Sequence, residues 1–195
     1  MSRPRSISRD ESLERALLLF WEHGYDRTSI ADLSKALGVG PSSIYNSFGS
    51  KEELFREAVG RYVATHADPA LQLLGEDAGE GPVPFVRGLM RELVKLYTTK
   101  GQPVGCLVFQ AGGAGMPEMS SACAATNEVK ETLLGALRKR FEAYAKAGEP
   151  LAAPPKVLAL FVLGALRGIS QLASDGTSRA DLMKVAEHTA ESIVS

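Results

Sequence analysis

The 195-residue sequence contains only two cysteines, Cys106 and Cys123, and three histidines. Two cysteines give no disulfide framework, and no pair of residues has the spacing of zinc ligands. No window reaches the roughly 18 uncharged apolar residues that a membrane span needs. The basic first six residues precede no apolar segment, which is not typical of a signal peptide. These absences predict a soluble cytoplasmic protein that has no metal or other cofactor and does not associate with a membrane.

Excess charge and catalytic signatures are lacking as well. The formal net charge is −1, and residues 1–66 carry nine basic and nine acidic side chains, so bulk charge does not favour a nucleic-acid partner. The glycine-rich stretch 111–115 follows no convincing strand and lacks the Lys-Ser/Thr pair of a phosphate loop. No nucleophile is spaced against a base. The sequence therefore predicts no catalytic residue and no enzyme activity.

The most informative stretch runs from Gly24 to Val59 and has the pattern of two short helices joined by a tight turn. Ser29 and Asp32 have the spacing of a capping box, and the apolar residues that follow recur at three and four positions. Gly38 ends this first helix, since a tight turn needs a residue that tolerates positive φ. Pro41 suits the first position of the second helix.

The outward face of the second helix carries hydroxyl, amide and phenol groups. When the apolar residues point inward, Pro41, Ser42, Tyr45 and Asn46 face solvent. Such groups suit the major groove of DNA, where hydroxyls and amides meet base edges and phosphate oxygens. Lys51, in the first turn of the next helix, is placed to hold a phosphate together with the helix amides. These features predict a helix-turn-helix that binds DNA.

From Leu13 to about Val59 the sequence resembles the DNA-binding domain of the TetR family of transcriptional regulators. It departs from the common family pattern at Ser34, Gly40 and Asn46, which bears on base preference and not on the fold. The residues that carry the resemblance, by type and spacing, are Ala16, Phe20, Gly24, Tyr25, Thr28, Ser29, Ile30, Leu33, Gly38, Val39, Ile44, Tyr45, Phe48, Lys51, Leu54 and Phe55.

The resemblance implies an all-α fold of about nine helices in two domains. Residues 1–49 would form a three-helix helix-turn-helix domain, and residues 50–195 a helical ligand-binding and dimerisation domain that begins with a connecting helix at 50–67. It also implies a homodimeric regulator, most often a repressor, that binds a palindromic operator in double-stranded DNA and is released by a small-molecule effector.

Ten residues are expected to contact DNA. They are Arg3, Arg5, Thr28, Ser29, Gly40, Pro41, Ser42, Tyr45, Asn46 and Lys51. For Arg3 and Arg5 two interpretations stay open, a basic arm that reaches into the minor groove and a frayed terminus with scattered charge.

Helices are predicted along the rest of the chain. Residues 72–84 are rich in glycine, proline and acids and predict a loop, followed by a helix from about Phe85 to Lys100. Residues 104–109 fit a short strand or a short helix, and we predict a helix because no partner strand exists. A long helix is predicted from Pro117 to about Ala147, and a loop over 148–155.

The last two helices, over residues 156–174 and after Ser178, predict either an internal hairpin or half of a four-helix dimer interface. The first of them is apolar almost all round, and its glycines would let a neighbouring backbone approach closely. Large apolar faces usually mark interfaces, and the resemblance also implies the dimer. The expected interface residues are Leu158, Phe161, Val162, Ala165, Leu166, Ile169, Leu182, Val185, Ala186 and Thr189.

Large or polarizable side chains on the central helices predict a pocket for an apolar or aromatic effector, although such residues also fill ordinary cores. The candidates are Met90, Tyr97, Phe109, Met116, Met119, Cys123, Phe141 and Tyr144. Two alternative functions remain open. One is a thiol-based redox-sensing regulator that uses Cys106 and Cys123, and the other is a helical ligand carrier without DNA binding.

Overall fold

Helices form all the regular structure in the described part of the chain, which comprises residues 7–75, 81–110 and 121–194 of a computed structural model. For residues 121–123 only the helical backbone is described. The predicted all-α class is confirmed there. The helices are α1 (Arg9–His23), α2 (Ile30–Leu37), α3 (Pro41–Phe48), α4 (Lys51–Tyr62), α5 (Asp68–Gly75), α6 (Pro82–Tyr97), α7 (Leu107–Gln110), α8 (Ser121–Lys146), α9 (Pro155–Ser174) and α10 (Arg179–Glu191).

The first helices begin and end where the sequence signals lie. The Ser29 and Asp32 side chains and backbones form both hydrogen bonds of a capping box at the start of α2. Gly38 ends α2 in the left-handed conformation with φ 69°, and Pro41 takes the first position of α3. The Ser50 hydroxyl accepts a hydrogen bond from the Glu53 amide and starts α4. Each serine cap stabilises its helix by about 1 kcal/mol.

A shared apolar core holds α1 to α4 together. Leu17 and Phe20 of α1, Leu33 of α2 and Ile44 of α3 are at most 1% exposed. The ring of Phe55 in α4 meets the Phe20 ring edge-on, with centroids 5.1 Å apart. Because the buried residues of α3 all lie on one side, its other side is left to solvent.

A π-helical segment, Val63–Ala67, joins α4 to α5, so that the two form one continuous rod. Pro69 lies just beyond it and has no amide to donate to the Thr65 carbonyl. A widened turn is the local adjustment that a proline within a helix calls for. Counted as one helix, this rod brings the described helices to nine, the predicted number.

Two predicted boundaries need correction or restriction. The predicted loop at 72–84 is wrong at both ends, since 72–75 belong to α5 and α6 already begins at Pro82, in the position where proline starts a helix. The choice of a helix over a strand is confirmed for 107–109 by α7, whereas residues 104–106 belong to the loop before it. The predicted start of the long helix at Pro117 lies outside the described residues.

In the C-terminal part, α9 packs against α6, α8 and α10. Its length and composition alone would also allow it to cross a membrane. The core helix of a folded domain passes the same test, and about two fifths of the apolar window of α9 is buried in the protein. The contacts of α9 therefore account for the apolar residues on its buried side.

Candidate nucleic-acid interface and effector pocket

The exposed side of α3 carries five of the residues expected to contact DNA. Gly40, Pro41, Ser42, Tyr45 and Asn46 are all exposed, and the Tyr45 side chain is 47% accessible. Gly40 caps α3 without a side-chain hydrogen bond, Pro41 has no N–H, and the Ser43 amide donates to the Gly40 carbonyl at 3.0 Å, which leaves the Ser42 amide as the free donor of the first turn among the described residues. A free amide at a helix N-terminus can bind a phosphate. The α3 surface thus combines phosphate-binding and base-reading groups.

Lys51 lies beside this surface, at the start of α4. Its Nζ atom is 4.0 Å from the centroid of the Tyr25 ring, which fixes the ammonium group by a cation–π contact. Burial lowers the pKa of Lys51, while the nearby Asp26 and Glu52 carboxylates oppose that effect. An ammonium group beside a helix N-terminus favours the binding of an anion.

Two of the expected DNA contacts have structural roles within the protomer. Thr28 is 1% exposed, and its hydroxyl donates to the Gly24 carbonyl at 2.7 Å, so it is not available to DNA. Ser29 is exposed, but its hydroxyl is engaged with Asp32 in the capping box. Arg3 and Arg5 lie outside the described residues.

Arg9, the first residue of α1, makes contacts in this region that sequence reasoning did not find. Its guanidinium lies 4.6 Å from the centroid of the Phe48 ring and donates to Glu57 at 2.7 Å and to the Ser47 carbonyl at 3.3 Å. These contacts tie the start of α1 to the end of α3 and to α4. No local pattern reveals them, because the partners are 38 and 48 residues away in sequence.

An apolar pocket of about 540 Å³ lies between the α4–α5 rod and α8. Its walls are mainly aliphatic, with the charged Arg56 and Glu128 among them. The lining residues are Arg56, Val59, Gly60, Val63, Leu71, Leu74, Ala125, Glu128, Val129, Thr132, Leu133 and Ala136.

None of the five described residues among those expected to bind the effector lines this pocket. Met90, Tyr97, Phe141 and Tyr144 are at most 1% exposed and fill the domain core. Phe109 lines a different, polar cleft. Met116, Met119 and the Cys123 side chain lie outside the described residues. For the four core residues, helical periodicity marks a buried face without showing whether that face meets another helix or a cavity.

The residues expected at a dimer interface divide into two groups. Phe161 and Val185 are 44% and 40% exposed, and Ala165 is half-buried. The other seven fill the core of the protomer itself, where they offer no surface to a second copy: Leu158, Val162, Leu166, Ile169, Leu182, Ala186 and Thr189. We therefore remove those seven residues from the proposed interface. Helix α9 has one apolar face that packs in the protomer core and another that faces solvent.

The second apolar face also contains large side chains that the sequence analysis did not place at an interface. Val157, Leu160 and Leu172 of α9 are between 40% and 51% exposed and lie on the same side as Phe161. Gly164 and Gly168 lie on this side as well, and a Cβ atom added to either would meet no neighbour within 4 Å. We call the exposed side chains Val157, Leu160, Phe161, Leu172 and Val185 the outer apolar face.

The Cys106 thiol is buried in contact with aromatic hydroxyls. The Tyr62 hydroxyl of α4 donates to Cys106 Sγ at 3.4 Å, and Tyr97 of α6 also contacts the sulfur. Burial raises the pKa of the Cys106 thiol, although these hydrogen bonds and those from the Val108 and Phe109 amides oppose the rise. A buried neutral thiol reacts slowly with an oxidant dissolved in water.

Comparison with known proteins gives consistent results. The model of a family described as bacterial regulatory proteins, tetR family, matches residues 13–58. The chain is 30% identical to the HTH-type transcriptional repressor ComR of Escherichia coli strain K12 over 192 residues, which cover 96% of this chain and 89% of ComR.

Two solved structures share the fold. One is a cysteine mutant of the TetR family transcriptional regulator CifR complexed with a 26-bp double-strand operator DNA. It is 33% identical with a TM-score of 0.87, and the match covers 98% of this chain and 100% of that one. The other, AibR in complex with isovaleryl coenzyme A and operator DNA, is 20% identical with a TM-score of 0.74, covering 95% and 97% of the two chains. Identity that low shows the shared fold alone.

Proposed function

Because this chain belongs to the TetR family and is therefore a DNA-binding transcriptional regulator and not an enzyme, we propose that it acts in the cytoplasm as a homodimeric repressor. Two α3 helices, one from each protomer, read a palindromic operator. A small apolar effector releases the dimer from that operator. The observation that carries the proposal is the outer apolar face, which no part of the described protomer covers.

The exposed apolar side chains of the outer apolar face cluster on two adjacent helices, α9 and α10, which supports the proposed dimer. Among the described residues, only Tyr45 and Val104 are large exposed apolar side chains outside it. A contiguous patch of this kind marks an interface, and the commonest arrangement in soluble proteins is a two-fold dimer. The open space above Gly164 and Gly168 lets the α9 helices of two protomers approach closely.

A dimer also supplies what one recognition helix lacks. A single α3 reaches too few base pairs to define a site. Two helices related by a two-fold axis read two half-sites whose separation mirrors the distance between the helices. In this proposal Ser42 and Asn46 contact base edges, whereas Tyr45 and Lys51 contact phosphates.

The pocket supports effector control because its wall belongs to the helix that carries part of the DNA interface. Val59, Gly60 and Val63 line the pocket from α4 and the π segment, and Lys51 lies at the other end of α4. An occupant that fits one position of α4 better than another shifts the balance between two states of the dimer. Its mainly aliphatic lining favours an effector with an apolar body.

Replacement of Gly60 by leucine should fill part of this pocket. A Cβ atom at Gly60 meets nothing within 4 Å, so the new side chain has room to project into the cavity. We expect binding of the fluorescent apolar anion anilinonaphthalene sulfonate to weaken at least about tenfold, or about 1.4 kcal/mol, in a fluorescence titration. Gly60→Ala, which adds one methyl group, serves as the control and should bind the probe as the wild type does. Equal affinity in the leucine variant would place the probe elsewhere.

The proposed function is tested by titration of the purified protein against DNA upstream of its own gene, with a random duplex as the control. We expect binding that selects a palindrome and that weakens steeply with salt, since each phosphate contact contributes about 0.9 to the slope of log affinity against log salt. If no duplex from a wider search bound more tightly than the random one, the proposal would be rejected.

Thiol sensing at Cys106 remains a second candidate function, because the sulfur contacts Tyr62 of α4 and the adjacent Gly105 carbonyl accepts a hydrogen bond from Trp21 of α1. Oxidation of this sulfur would disturb both helices of the DNA-binding region. We expect the wild-type protein and Cys123→Ser to lose operator binding after peroxide treatment, whereas Cys106→Ser should keep it. A loss that persists in both serine variants would exclude this candidate. The ligand-carrier alternative does not agree with the family membership.

A further inference from the structure

The loop between α6 and α7 is held from two sides at consecutive residues. The indole Nε1 of Trp21, in α1, donates a buried hydrogen bond to the Gly105 carbonyl at 3.1 Å. The amide of Cys106 donates a buried hydrogen bond to the Ser170 hydroxyl of α9 at 2.9 Å. Two residues thus connect the first helix of the DNA-binding region to the helix that carries most of the outer apolar face.

This connection, which we call the 104–106 bridge, has little freedom to slide. The Gly105 amide donates to the Tyr97 carbonyl at 3.0 Å, at the end of α6. The Gln110 side-chain amide donates to the Val104 carbonyl at 2.9 Å and to the Ser174 hydroxyl at 2.6 Å.

Position 105 also requires a glycine for steric reasons. Its φ is +83°, and a Cβ atom there would lie 3.1 Å from the Ser170 carbonyl oxygen. The bridge is consequently packed against α9 as closely as its backbone allows.

Open clefts flank the bridge. A cleft of about 740 Å³ separates Glu22, Gly24 and Arg27 of the DNA-binding region from Arg167 and neighbouring residues of α9. A second cleft, of about 560 Å³, lies between α1 and residues 101–104. Beyond the bridge and the α7 helix that follows it, α1 and α9 therefore stand apart, and the main other connection of the DNA-binding region to the rest of the chain is the α4–α5 rod, which packs against α8.

A body attached through one helix can pivot about that helix, whereas a second attachment away from the helix fixes its angle. We propose that Trp21 and Ser170 are positioning residues that act through the 104–106 bridge to set the angle of each helix-turn-helix relative to α9. Because α9 forms the proposed dimer interface, that angle sets the half-site spacing that the operator must have. This inference rests on the proposed dimeric function.

The test uses Trp21→Phe and Ser170→Ala, which approach the bridge from its two ends. Phenylalanine keeps an aromatic ring against Tyr62, whose ring centroid lies 4.8 Å from that of Trp21, and loses the N–H donor together with part of the buried volume of the indole. Alanine at 170 removes the hydroxyl that accepts from Cys106. Ser192→Ala is the matched control, since it removes an equally small hydroxyl from the end of α10, far from the bridge in sequence.

The DNA probes are a palindrome selected by the wild-type protein from random duplexes, the same palindrome with its spacing changed by one or two base pairs, and a single half-site. We expect each bridge variant to bind the half-site within about twofold of the wild type. Its preference for the native spacing should fall about fivefold, the factor that one buried neutral hydrogen bond carries in an equilibrium constant. Ser192→Ala should keep the full preference.

The outcomes separate the inference from the function on which it rests. Wild-type protein without any spacing preference would overturn both the dimer and the bridge. If the wild-type protein prefers the native half-site spacing and both bridge variants keep that preference, the positioning role of the bridge is overturned while the dimer proposal is supported. Loss of half-site affinity equal to the loss on the palindrome would show that Trp21 and Ser170 only stabilise the fold, which would also overturn the positioning role.

Discussion

Phe161→Glu is expected to convert the protein into a folded monomer that no longer holds a palindromic operator. Phe161 is 44% exposed in the protomer, so a carboxylate there remains hydrated in the monomer. In the dimer the same carboxylate would be buried without a partner, at several kcal/mol per site. We expect sedimentation velocity to show a monomer, circular dichroism to show an unchanged helix content, and operator affinity to fall at least about a hundredfold, or about 2.7 kcal/mol.

Two further variants serve as controls for this prediction. Ala143→Glu adds the same charge to an exposed position of α8 and should leave the dimer intact. Leu166→Glu, in contrast, places the carboxylate in the protomer core, where the side chain is fully buried, and should unfold the protein. A Phe161→Glu protein that sediments as the wild-type dimer would move the interface away from the outer apolar face.

Asn46→Ala and Lys51→Ala are expected to weaken DNA binding in two different ways. Asn46 is exposed on α3, and loss of an amide that reads a base should relax preference at one base pair of each half-site by about 1–3 kcal/mol. Lys51 is placed for a phosphate, so its loss should weaken binding to every sequence and reduce the salt slope by about 1 per half-site. Competition titrations against base-substituted operators at several salt concentrations measure both effects.

Lys184→Ala provides the matched control for the lysine variant. It removes an exposed cation from α10, at the opposite end of the sequence from the DNA-binding region. It should leave the salt slope close to that of the wild type. If Asn46→Ala weakened all operators equally, Asn46 would be a backbone contact and not a reader of sequence. If neither variant changed binding, α3 would not be the recognition helix.

The local structure of the DNA-binding region could be predicted from sequence because its signals are short-range. The capping box of Ser29 and Asp32, the left-handed Gly38 and the first-position Pro41 each act within four residues. The outward face of α3 follows from the same pattern, since burial of Ile44 and Phe48 fixes the orientation of the residues between them.

Features that depend on partners distant in sequence could not be predicted. The pocket residues Val59 and Leu133 look like ordinary core residues, and only the packing of the rod against α8 shows that a cavity separates them. The two apolar faces of α9 give no period that distinguishes Leu166, in the protomer core, from Phe161, at its surface. The hydrogen bond of Trp21 to Gly105 spans 84 residues and leaves no local trace.

The loop predicted at 72–84 failed for a different reason. Glycine, proline and acidic residues favour a break in the chain, but a proline in the first position of a helix costs nothing there. Pro82 therefore starts α6 instead of ending a loop, and Leu73 and Leu74 continue the helix that began at Asp68.

The central claim is that two protomers read one palindrome, and the stoichiometry of the complex tests it most directly. We would measure the mass of the protein on its selected operator, and on a duplex that contains one half-site, by sedimentation equilibrium. The account predicts two protomers on the full operator, with an affinity far above that for the half-site. A single protomer on the full operator, bound no more tightly than on the half-site, would contradict it.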